Sequence, residues 1–316
     1  MTVTLVNQWL SSGALNLPLP GAGATAERWR RLAGLTEIDV VAGRLAEAHT
    51  DAVAILAELG GPEPEPDELW GVWAAEPPEA RLAASGVGDH VLLDGTKPWC
   101  SGAALCARAL VTARLNDGRR ALFAVHLSDE RVQPLEPTWR NPGMAGSDTR
   151  SVKFAGAPAV QVGRPGDYLE RPGFWFGAIG VAACWLGAAR AVAAPLYRRA
   201  AGTSVDPHTL AHLGAVDAAL TAAQATLAWA AAHVDGDPLN SSGLAELVAR
   251  RTRAVAEAAA DEAIVRTGRS LGPGPLCLDG DHARRVADLT VYLRQSHAER
   301  DLEALGTQAA ADHERR

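Results

Sequence analysis

The spacing of hydrophobic residues changes twice along this chain of 316 residues, and that change constrains its fold most. Up to about residue 61, apolar side chains recur every three or four positions, as they do on one face of a helix. From about 69 to 163 the apolar runs are short and are separated by Gly, Asp, Asn and Pro, which is typical of antiparallel strands joined by turns. After about residue 164 the helical spacing returns. The order is therefore predicted to be helices, a β-domain and helices again.

Glycine and proline mark the limits of the first two blocks. A helical run that opens at Thr36 ends at Gly60-Gly61, as helix C-termini prefer. The PEPEP segment that follows, residues 62–66, can be neither helix nor central strand and is predicted to be a stiff linker. Within the β-domain, Asn116-Asp117-Gly118 predicts a hairpin turn.

The last block is predicted to contain four long helices. They cover 174–200, a segment from Pro207 after an Asp206 cap, a segment from a cap at Ser241 or Ser242 to Gly268, and a segment from Asp281 to about Gly306, followed by a frayed tail. Short connections favour antiparallel neighbours, so a four-helix bundle is expected. The fold class is thus α+β, with a short N-terminal helical segment (1–68), a central antiparallel β-barrel or sandwich (69–163) and a C-terminal four-helix bundle (164–316).

Composition excludes several function classes. The formal net charge is −7, from 30 Lys and Arg against 37 Asp and Glu, which argues against a general nucleic-acid binder. The most apolar stretch, 174–196, is interrupted by Arg190 and Pro195, so it is predicted to be a packed internal helix rather than a membrane span. The N-terminal residues lack the pattern of a signal peptide, and a cytoplasmic protein is expected.

Neither a metal site nor a disulfide framework is predicted. The four cysteines form no CxxC pair, so free thiols in a reducing compartment are the simplest interpretation. The nine histidines form no HExxH motif.

Four sequence pieces, in this order, resemble the acyl-CoA dehydrogenase family. They are Ala74-Ala75-Glu76-Pro77 with DGTKPWCSGA at 94–103, GMAGSDT at 143–149, GRSLG at 268–272, and Arg284-Arg285 with Asp288-Leu289. The resemblance covers about residues 22–306. It implies the helix–β–helix architecture of that family, an FAD cofactor, and a homodimer or homotetramer with the FAD across an interface.

The WCSG segment carries the expected flavin contacts. An isoalloxazine ring needs an aromatic or apolar face and a donor near N5, which Trp99 and the Ser101 hydroxyl or a backbone N–H can supply. By resemblance, Trp99, Cys100 and Ser101 fall on the family's flavin-contact segment, and Glu76 belongs to its Thr-Glu-Pro element. Ala75 stands where that element has Thr, so one hydroxyl near the flavin is lost. The alternative interpretation is a core tryptophan followed by a turn.

Two further positions are cofactor candidates through their expected contact with phosphate. Arg198 lies in Arg198-x-x-Ala201-Gly202, which is similar to the family's Arg-x-x-Phe-Gly, where the Arg reaches an FAD pyrophosphate, usually that of a neighbouring subunit. Guanidinium–phosphate pairing is a sound basis for that role, although an arginine that favours a helix C-terminus is an equally good explanation. Gly272 allows close approach of the backbone to the pyrophosphate, or simply forms a turn.

The catalytic base is missing from both places where the resemblance puts a glutamate. These positions correspond to about Gly177 and to Gln295 or Ser296, none of which can remove an α-proton. The apolar face of the predicted last helix, with Val286, Leu289 and Leu293, continues into a polar end that carries His297, Arg300 and Asp301. We therefore predict that His297 titrates, with Arg300 and Asp301 orienting it or contacting flavin or substrate. The alternative is that the helix simply emerges into solvent.

Three functions follow from these observations. The first is an FAD-dependent oxidoreductase that acts on the CH–CH group of an acyl thioester, carried by CoA or by a carrier protein. The second is a flavin-dependent monooxygenase on the same scaffold, which the missing glutamate favours. The third is a non-catalytic flavin-binding subunit. The substrate in each case is an acyl thioester or another small molecule.

Overall fold

The computed structural model describes residues 2–77, 82–86 and 91–315. Its helices are α1 (Thr2–Ser11), α2 (Thr25–Ile38), α3 (Val40–Leu59), α4 (Asp167–Glu170), α5 (Gly173–Ala200), α6 (Pro207–Gly236), α7 (Ala245–Leu271), α8 (Gly274–Leu278), α9 (Gly280–Tyr292) and α10 (Glu299–Arg315). Its strands are β1 (Trp70–Trp73), β2 (Leu82–Ser85), β3 (Val91–Cys100), β4 (Arg108–Arg114), β5 (Arg120–His126), β6 (Val132–Pro134) and β7 (Arg150–Val162). The predicted order of helices, a β-rich middle and C-terminal helices is confirmed.

The residues cluster into two compact units. The first comprises Met1–Leu17, Arg44–Asn141 and Ala145–Phe174, and the second comprises Pro18–Gly43, Pro142–Met144 and Trp175–Arg316. The first unit contains the sheet and the second contains most of the long helices. The division of the sequence at 68 and 163 stays a prediction.

Strands of the first unit close into a ring. β4 pairs with β2, β2 with β3, β3 with β7, β7 with β5, and β5 with β4, while β1 is added at β4 and β6 at β7. Most pairings are antiparallel, as predicted, but β4 pairs in parallel with β1 and, through Ala83 and Arg114, with β2. The hairpin at 116–118 is confirmed, since Leu115 and Arg119 close it between β4 and β5.

Both faces of β4 and β5 are buried, which explains their continuous apolar sequences. Val111 and Phe123 point into the ring with Leu93 and Phe154. Neighbouring residues on the opposite face, such as Leu110, pack with residues of α3. A strand covered on both sides lacks the alternation of apolar and polar residues that marks a half-buried strand.

The second unit is built around α5, whose small residues allow close helix contact. A Cβ atom on Gly187 would lie on the backbone of Ala33, so α2 and α5 cross with their backbones almost touching. Asp235 of α6 accepts hydrogen bonds from the N–H groups of Gly23 and Thr25, each at 3.1 Å, and so caps the start of α2.

Among the described residues, one helix is long and apolar enough to cross a membrane by composition. This helix is α5, with a mean hydropathy of 1.6 over its most apolar window. However, 78% of that window is buried inside the protein, as in a core helix. The packing therefore agrees with the prediction of an internal helix.

The predicted cap at Asp206 is confirmed, because its carboxylate accepts from His208 and Thr209 at the start of α6. Other helix ends were predicted wrongly. The run assigned from Thr36 is split at Asp39, where α2 ends and α3 begins. α7 has Leu244 at its N-cap instead of a serine. The helix predicted to run from Asp281 to Gly306 is interrupted after Tyr292.

Candidate functional site

Trp99 is exposed and held in an unusual backbone conformation. Its φ angle is 60° and 59% of its surface is accessible. The conformation arises where the β3–β7 register shifts between Lys97 and Cys100, a bulge that turns the side chain out of the sheet. Its ring meets the edge of Trp139, with centroids 6.3 Å apart. A bulky residue in the left-handed region is a true outlier, and such outliers cluster at functional sites.

A short chain of hydroxyl groups lies directly after Trp99. The Ser101 Oγ is 3.0 Å from the Thr149 Oγ1, which is itself 2.8 Å from the Ser147 Oγ. Two backbone bonds, from Gly102 to the Ser147 oxygen and from Ala103 to the Asp148 oxygen, tie the two segments together. The predicted donor Ser101 therefore belongs to a set that includes two hydroxyls of the GSDT motif.

Glu76 is surrounded by cations. Its carboxylate lies 2.8 Å from the Nε of Arg120, 3.4 Å from Arg114 and 3.9 Å from the Nζ of Lys97. Glu76, Lys97 and Arg114 also line a cavity of about 10 Å³, room for about one water molecule. The carboxylate thus balances buried positive charge in this unit, a role that its place in the motif did not indicate.

Lys97 is the buried member of this cluster, with 2% of its surface exposed. Its Nζ donates to the backbone oxygen and to the Oγ1 of Thr112, both at 2.8 Å. Burial lowers the pKa of Lys97 to about 8, even though Glu76 favours its charged form.

The Cys100 thiol faces the interior of the sheet and is fully buried. Burial raises its pKa far above the usual range of a thiol. The side chain is therefore inert packing, and only the backbone of Cys100 is available to a ligand.

Arg198 lies in a cationic cluster at the start of α9. His282 is 97% buried, and among the described residues its Nδ1 has no hydrogen-bond partner. The Nε of Arg285 is also buried and has no hydrogen-bond partner among the described residues. Burial lowers the pKa of His282, and the nearby charges of Arg285 and Arg198 lower it further against the opposing effect of Asp279. Two guanidinium groups and an unsatisfied imidazole are a suitable set for a phosphate.

Gly272 ends α7 in the left-handed region, with a φ of 66°. Among the described residues, no atom beyond the immediate chain neighbours lies within 4 Å of the position where a Cβ would be placed on Gly272 or Gly274. The loop therefore presents open backbone just before α8. The carboxylate at the start of α9 is Asp279, which accepts from the N–H groups of Asp281 and His282.

His297 and Asp301 come together at a break in the C-terminal helix. After α9 the chain makes a 3₁₀ turn over Leu293–Gln295, passes Ala298 at a φ of 48°, and begins α10. The continuous helical face used to group these residues is therefore wrong, but the break itself joins two of them. The His297 N–H donates to the Asp301 Oδ2 at 3.1 Å, and its Nδ1 lies 3.6 Å from the Oδ1.

Arg300 behaves differently from its neighbours. Its side chain is exposed, and no hydrogen bond or ion pair of that side chain occurs within the described ranges. The cation beside Asp301 is instead Arg250 of α7, whose NH1 is 3.3 Å from the Asp301 Oδ1. Sequence analysis missed Arg250 because 51 residues separate the two positions.

Carboxylates are absent from the positions where the resemblance puts the base. Gly177 lies in α5, while Gln295 is exposed at the end of the 3₁₀ turn. Ser296 is 8% exposed, and its Oγ accepts from the backbone of Ala298 at 3.1 Å. The serine thus holds the turn, and it is not available as a base.

His208 and His212 stand one turn apart on α6, a spacing that can bind a metal. However, the described parts of the chain contain no group of three or more His, Cys, Asp or Glu side chains placed to hold a metal ion.

Solved structures with the same architecture are similar to this chain over nearly its whole length. Butyryl-CoA dehydrogenase from Megasphaera elsdenii superposes with a TM-score of 0.82 at 17% identity, covering 96% of this chain and 89% of that one. FMN-bound TdsC from Paenibacillus sp. A11-2, a dibenzothiophene monooxygenase, gives 0.77 at 19% identity, covering 96% and 94%. The methanesulfinate monooxygenase MsuC from Pseudomonas fluorescens gives 0.76 at 17% identity, covering 98% and 96%.

No protein-family model matches the sequence, and no curated protein matches it by sequence. The structural similarities nevertheless show that the chain has the acyl-CoA dehydrogenase fold. The same fold occurs in TdsC and MsuC, which are monooxygenases.

Proposed function

We propose that this chain, which has the acyl-CoA dehydrogenase fold, is a flavin-dependent oxidoreductase. The observation that carries the proposal is the exposed Trp99 at a φ of 60°, followed by the hydroxyl chain that begins at Ser101. An aromatic face with hydroxyl donors one step away suits a flat ring that has acceptor atoms at its edge. Structures of this fold with bound flavin support the inference, since FMN is present in TdsC.

The residues fit a flavin nucleotide. Trp99 offers a ring face, while Ser101 and Thr149 offer hydroxyls. The unsatisfied His282 Nδ1 and Arg285 Nε, together with Arg198, offer donors to phosphate. When bound, a flavin supplies the hydride or electron transfer that no protein side chain can supply. In the family that the sequence resembles, the arginine that corresponds to Arg198 usually reaches the flavin of a neighbouring subunit. The ring-binding and the phosphate-binding residues of one chain can therefore contact two different cofactor molecules.

FAD is the proposed form of the cofactor, held in a homodimer or homotetramer. Two guanidinium groups match the two phosphates of a pyrophosphate, whereas FMN has only one. The expected substrate is an acyl thioester or another small molecule.

Monooxygenation is the reaction class that the site favours. In the family that the sequence resembles, dehydrogenation of an acyl thioester uses a glutamate base, and Gly177, Gln295 and Ser296 offer none. His297 stands 3.6 Å from Asp301, and such a pair can hold or deliver a proton without a carboxylate base. We propose that His297 is the group that exchanges the proton.

Oxidation of the CH–CH group of an acyl thioester remains the second candidate. The RPGFW segment at 171–175 and the MAGSDT segment at 144–149 resemble those of dehydrogenases, and butyryl-CoA dehydrogenase has the higher TM-score, 0.82 against 0.77 for FMN-bound TdsC. Under this function the residue that removes the α-proton must be His297 or a group outside the usual positions.

A visible spectrum of the purified protein tests the cofactor. Bound flavin after reconstitution with FAD supports the proposal, and no binding of FAD or FMN overturns it. Substrate-dependent oxygen consumption with a flavin reductase supports the monooxygenase, whereas anaerobic bleaching by an acyl-CoA supports the dehydrogenase. Bound flavin with neither reaction supports a non-catalytic flavoprotein.

The His297→Ala variant tests the proton carrier. We expect turnover to fall by about 10²-fold or more, the usual contribution of general acid–base catalysis, while flavin binding is unchanged. His313→Ala is the matched control, since it removes another exposed histidine, one on α10 that has no assigned role. Unchanged turnover in His297→Ala contradicts the assignment.

A further inference from the structure

Arg250 is held from three sides in the second unit. Its Nε lies 2.8 Å from the Glu246 Oε1, one turn earlier on α7. Its guanidinium group stacks over the ring of Trp175, 5.1 Å from the centroid. Its NH1 reaches the Asp301 Oδ1 of α10 at 3.3 Å. The side chain is 17% exposed, so this is not a mobile surface arginine.

Asp301 uses both of its oxygens. Oδ2 accepts the backbone N–H of His297, which fixes the break between α9 and α10. Oδ1 faces the guanidinium of Arg250 on one side and the Nδ1 of His297 on the other. Burial acts to raise the pKa of Asp301, but the hydrogen bond from His297 and the positive charges around it, those of Arg253 and Arg250 among them, prevail and lower it. Asp301 is therefore an anion that points at one particular nitrogen of His297.

We propose that Arg250 is a positioning residue, which acts through Asp301 to hold the His297 imidazole as the tautomer with its proton on Nδ1. A carboxylate beside Nδ1 favours the proton there and leaves the lone pair of Nε2 free. Arg250 anchors that carboxylate to α7, since the stacked and doubly paired guanidinium has little freedom. His297 itself is 68% exposed, so Nε2 is open to a reacting group.

The function of this arrangement follows from the tautomer. A free lone pair on Nε2 makes His297 a proton acceptor from the first step, with no rearrangement of the ring. This consequence rests on the proposed role of His297 in the oxidoreductase reaction. The tautomer itself does not, because it is a property of the folded chain without cofactor or substrate.

The test is the ¹⁵N NMR spectrum of the imidazole ring in the full-length chain. It is recorded at alkaline pH, where imidazole rings are neutral. The chemical shifts of Nδ1 and Nε2 report which nitrogen carries the proton. His297→Gln identifies the resonance. The variants are Arg250→Gln, Arg250→Lys and Asp301→Asn, and the matched control is Arg251→Gln, which removes the adjacent arginine and its 3.4 Å ion pair with Asp312.

We expect His297 to carry its proton on Nδ1 in the parent chain. Arg250→Gln and Asp301→Asn should each lower the ratio of the Nδ1-protonated to the Nε2-protonated form by about threefold, because the 3.6 Å between Nδ1 and Oδ1 is an electrostatic contact longer than a hydrogen bond. Arg250→Lys should restore part of that ratio, because it keeps the charge without the planar stacking. Arg251→Gln should leave the ratio unchanged.

An unchanged ratio in Arg250→Gln overturns the proposal, and so does an equal change in Arg251→Gln. Circular dichroism on each variant checks that the chain still folds. If Arg250→Gln does not fold, the tautomer ratio of Arg250→Lys is compared with that of the parent chain instead. A protein that binds no flavin but shows the expected tautomers disproves the proposed function and not this inference. A protein that binds flavin but whose tautomer ratio is unchanged in Arg250→Gln disproves this inference and not the proposed function.

Discussion

Trp99 combines two features that are each unfavourable for a folded protein. A large aromatic side chain is exposed, and its backbone is in the left-handed region, which costs non-glycine residues about 1–2 kcal/mol. Its ring meets that of Trp139 edge to face, but more than half of the residue's surface stays exposed. A functional role for the exposed ring accounts for both.

Replacing Trp99 with Ala and with Gly separates the ring from the backbone. Both variants should lose flavin affinity, because both lack the aromatic face. In the free energy of unfolding, however, Trp99→Gly should be about 1 kcal/mol more stable than Trp99→Ala, since glycine adopts this φ without strain. Urea denaturation and flavin titration provide the two measurements. Full flavin affinity in both variants contradicts the assigned role.

Trp99 and Ser101 could be predicted as flavin contacts because the chemistry behind that prediction is local to one motif. The cations around Glu76 could not be predicted in this way, because Lys97, Arg114 and Arg120 lie 21 to 44 residues further along the chain and meet it only after the strands pair. Motif position therefore indicated that Glu76 matters, but its role as counter-ion to a buried lysine depends on register, which composition and periodicity do not determine.

A buried histidine, His49, joins a helix to a strand in the first unit. His49 of α3 is 5% exposed, and its Nδ1 accepts the backbone N–H of Trp70 at 3.2 Å, at the start of β1. Burial lowers the pKa of His49 to about 4, from 6.5 for the free side chain. The neutral ring is thus part of the junction between the two elements in the first unit.

A pH dependence of stability follows from His49. Because its folded-state pKa is below the unfolded value, the unfolded chain binds the proton first as the pH falls. The contribution is complete above about pH 6.5 and is lost towards pH 4, a difference of roughly 3 kcal/mol. His49→Gln keeps an acceptor but cannot titrate, so its free energy of unfolding should fall less over that interval. Parallel curves for the two proteins, from urea melts at each pH, contradict the prediction.

The last helix was predicted to be continuous, but in the structure it is interrupted after Tyr292. Val286, Leu289 and Leu293 recur at helical spacing, and the prediction continued their face to His297 as one helix. At the break, the Ser296 Oγ accepts the backbone N–H of Ala298, which makes a side-chain turn directly before α10 begins at Glu299. The turn at Ala298 and the bond from His297 to Asp301 then fix the geometry. A serine that bonds to the backbone close to it favours a turn over a continuous helix, and hydrophobic periodicity does not contain that information.

The net negative charge of the whole molecule contrasts with a local cluster of cations near α9. A net charge of −7 disfavours a ligand that carries phosphates at long range, so binding of such a ligand depends on the few cations that converge near α9. The order of helices and strands was predictable because it follows from periodicity along the chain. The cluster of His282, Arg285 and Arg198 was not, because it joins the end of α5 to the start of a helix 80 residues later.

Ligand-linked stability separates the ring-binding residues from the phosphate-binding ones. A ligand that binds only the folded state at a hundredfold excess over its Kd raises the free energy of unfolding by about 2.7 kcal/mol. At one fixed concentration, FAD should therefore raise the melting temperature more than riboflavin, which has the same ring and no phosphate.

Arg285→Gln should remove that difference while leaving the effect of riboflavin intact, and Trp99→Ala should weaken both. Arg284→Gln is the control, because its guanidinium lies towards Asp39, 3.7 Å away. If FAD and riboflavin stabilise the parent chain equally, the cationic cluster does not bind the cofactor phosphates, and the flavin is held by the ring-binding residues alone.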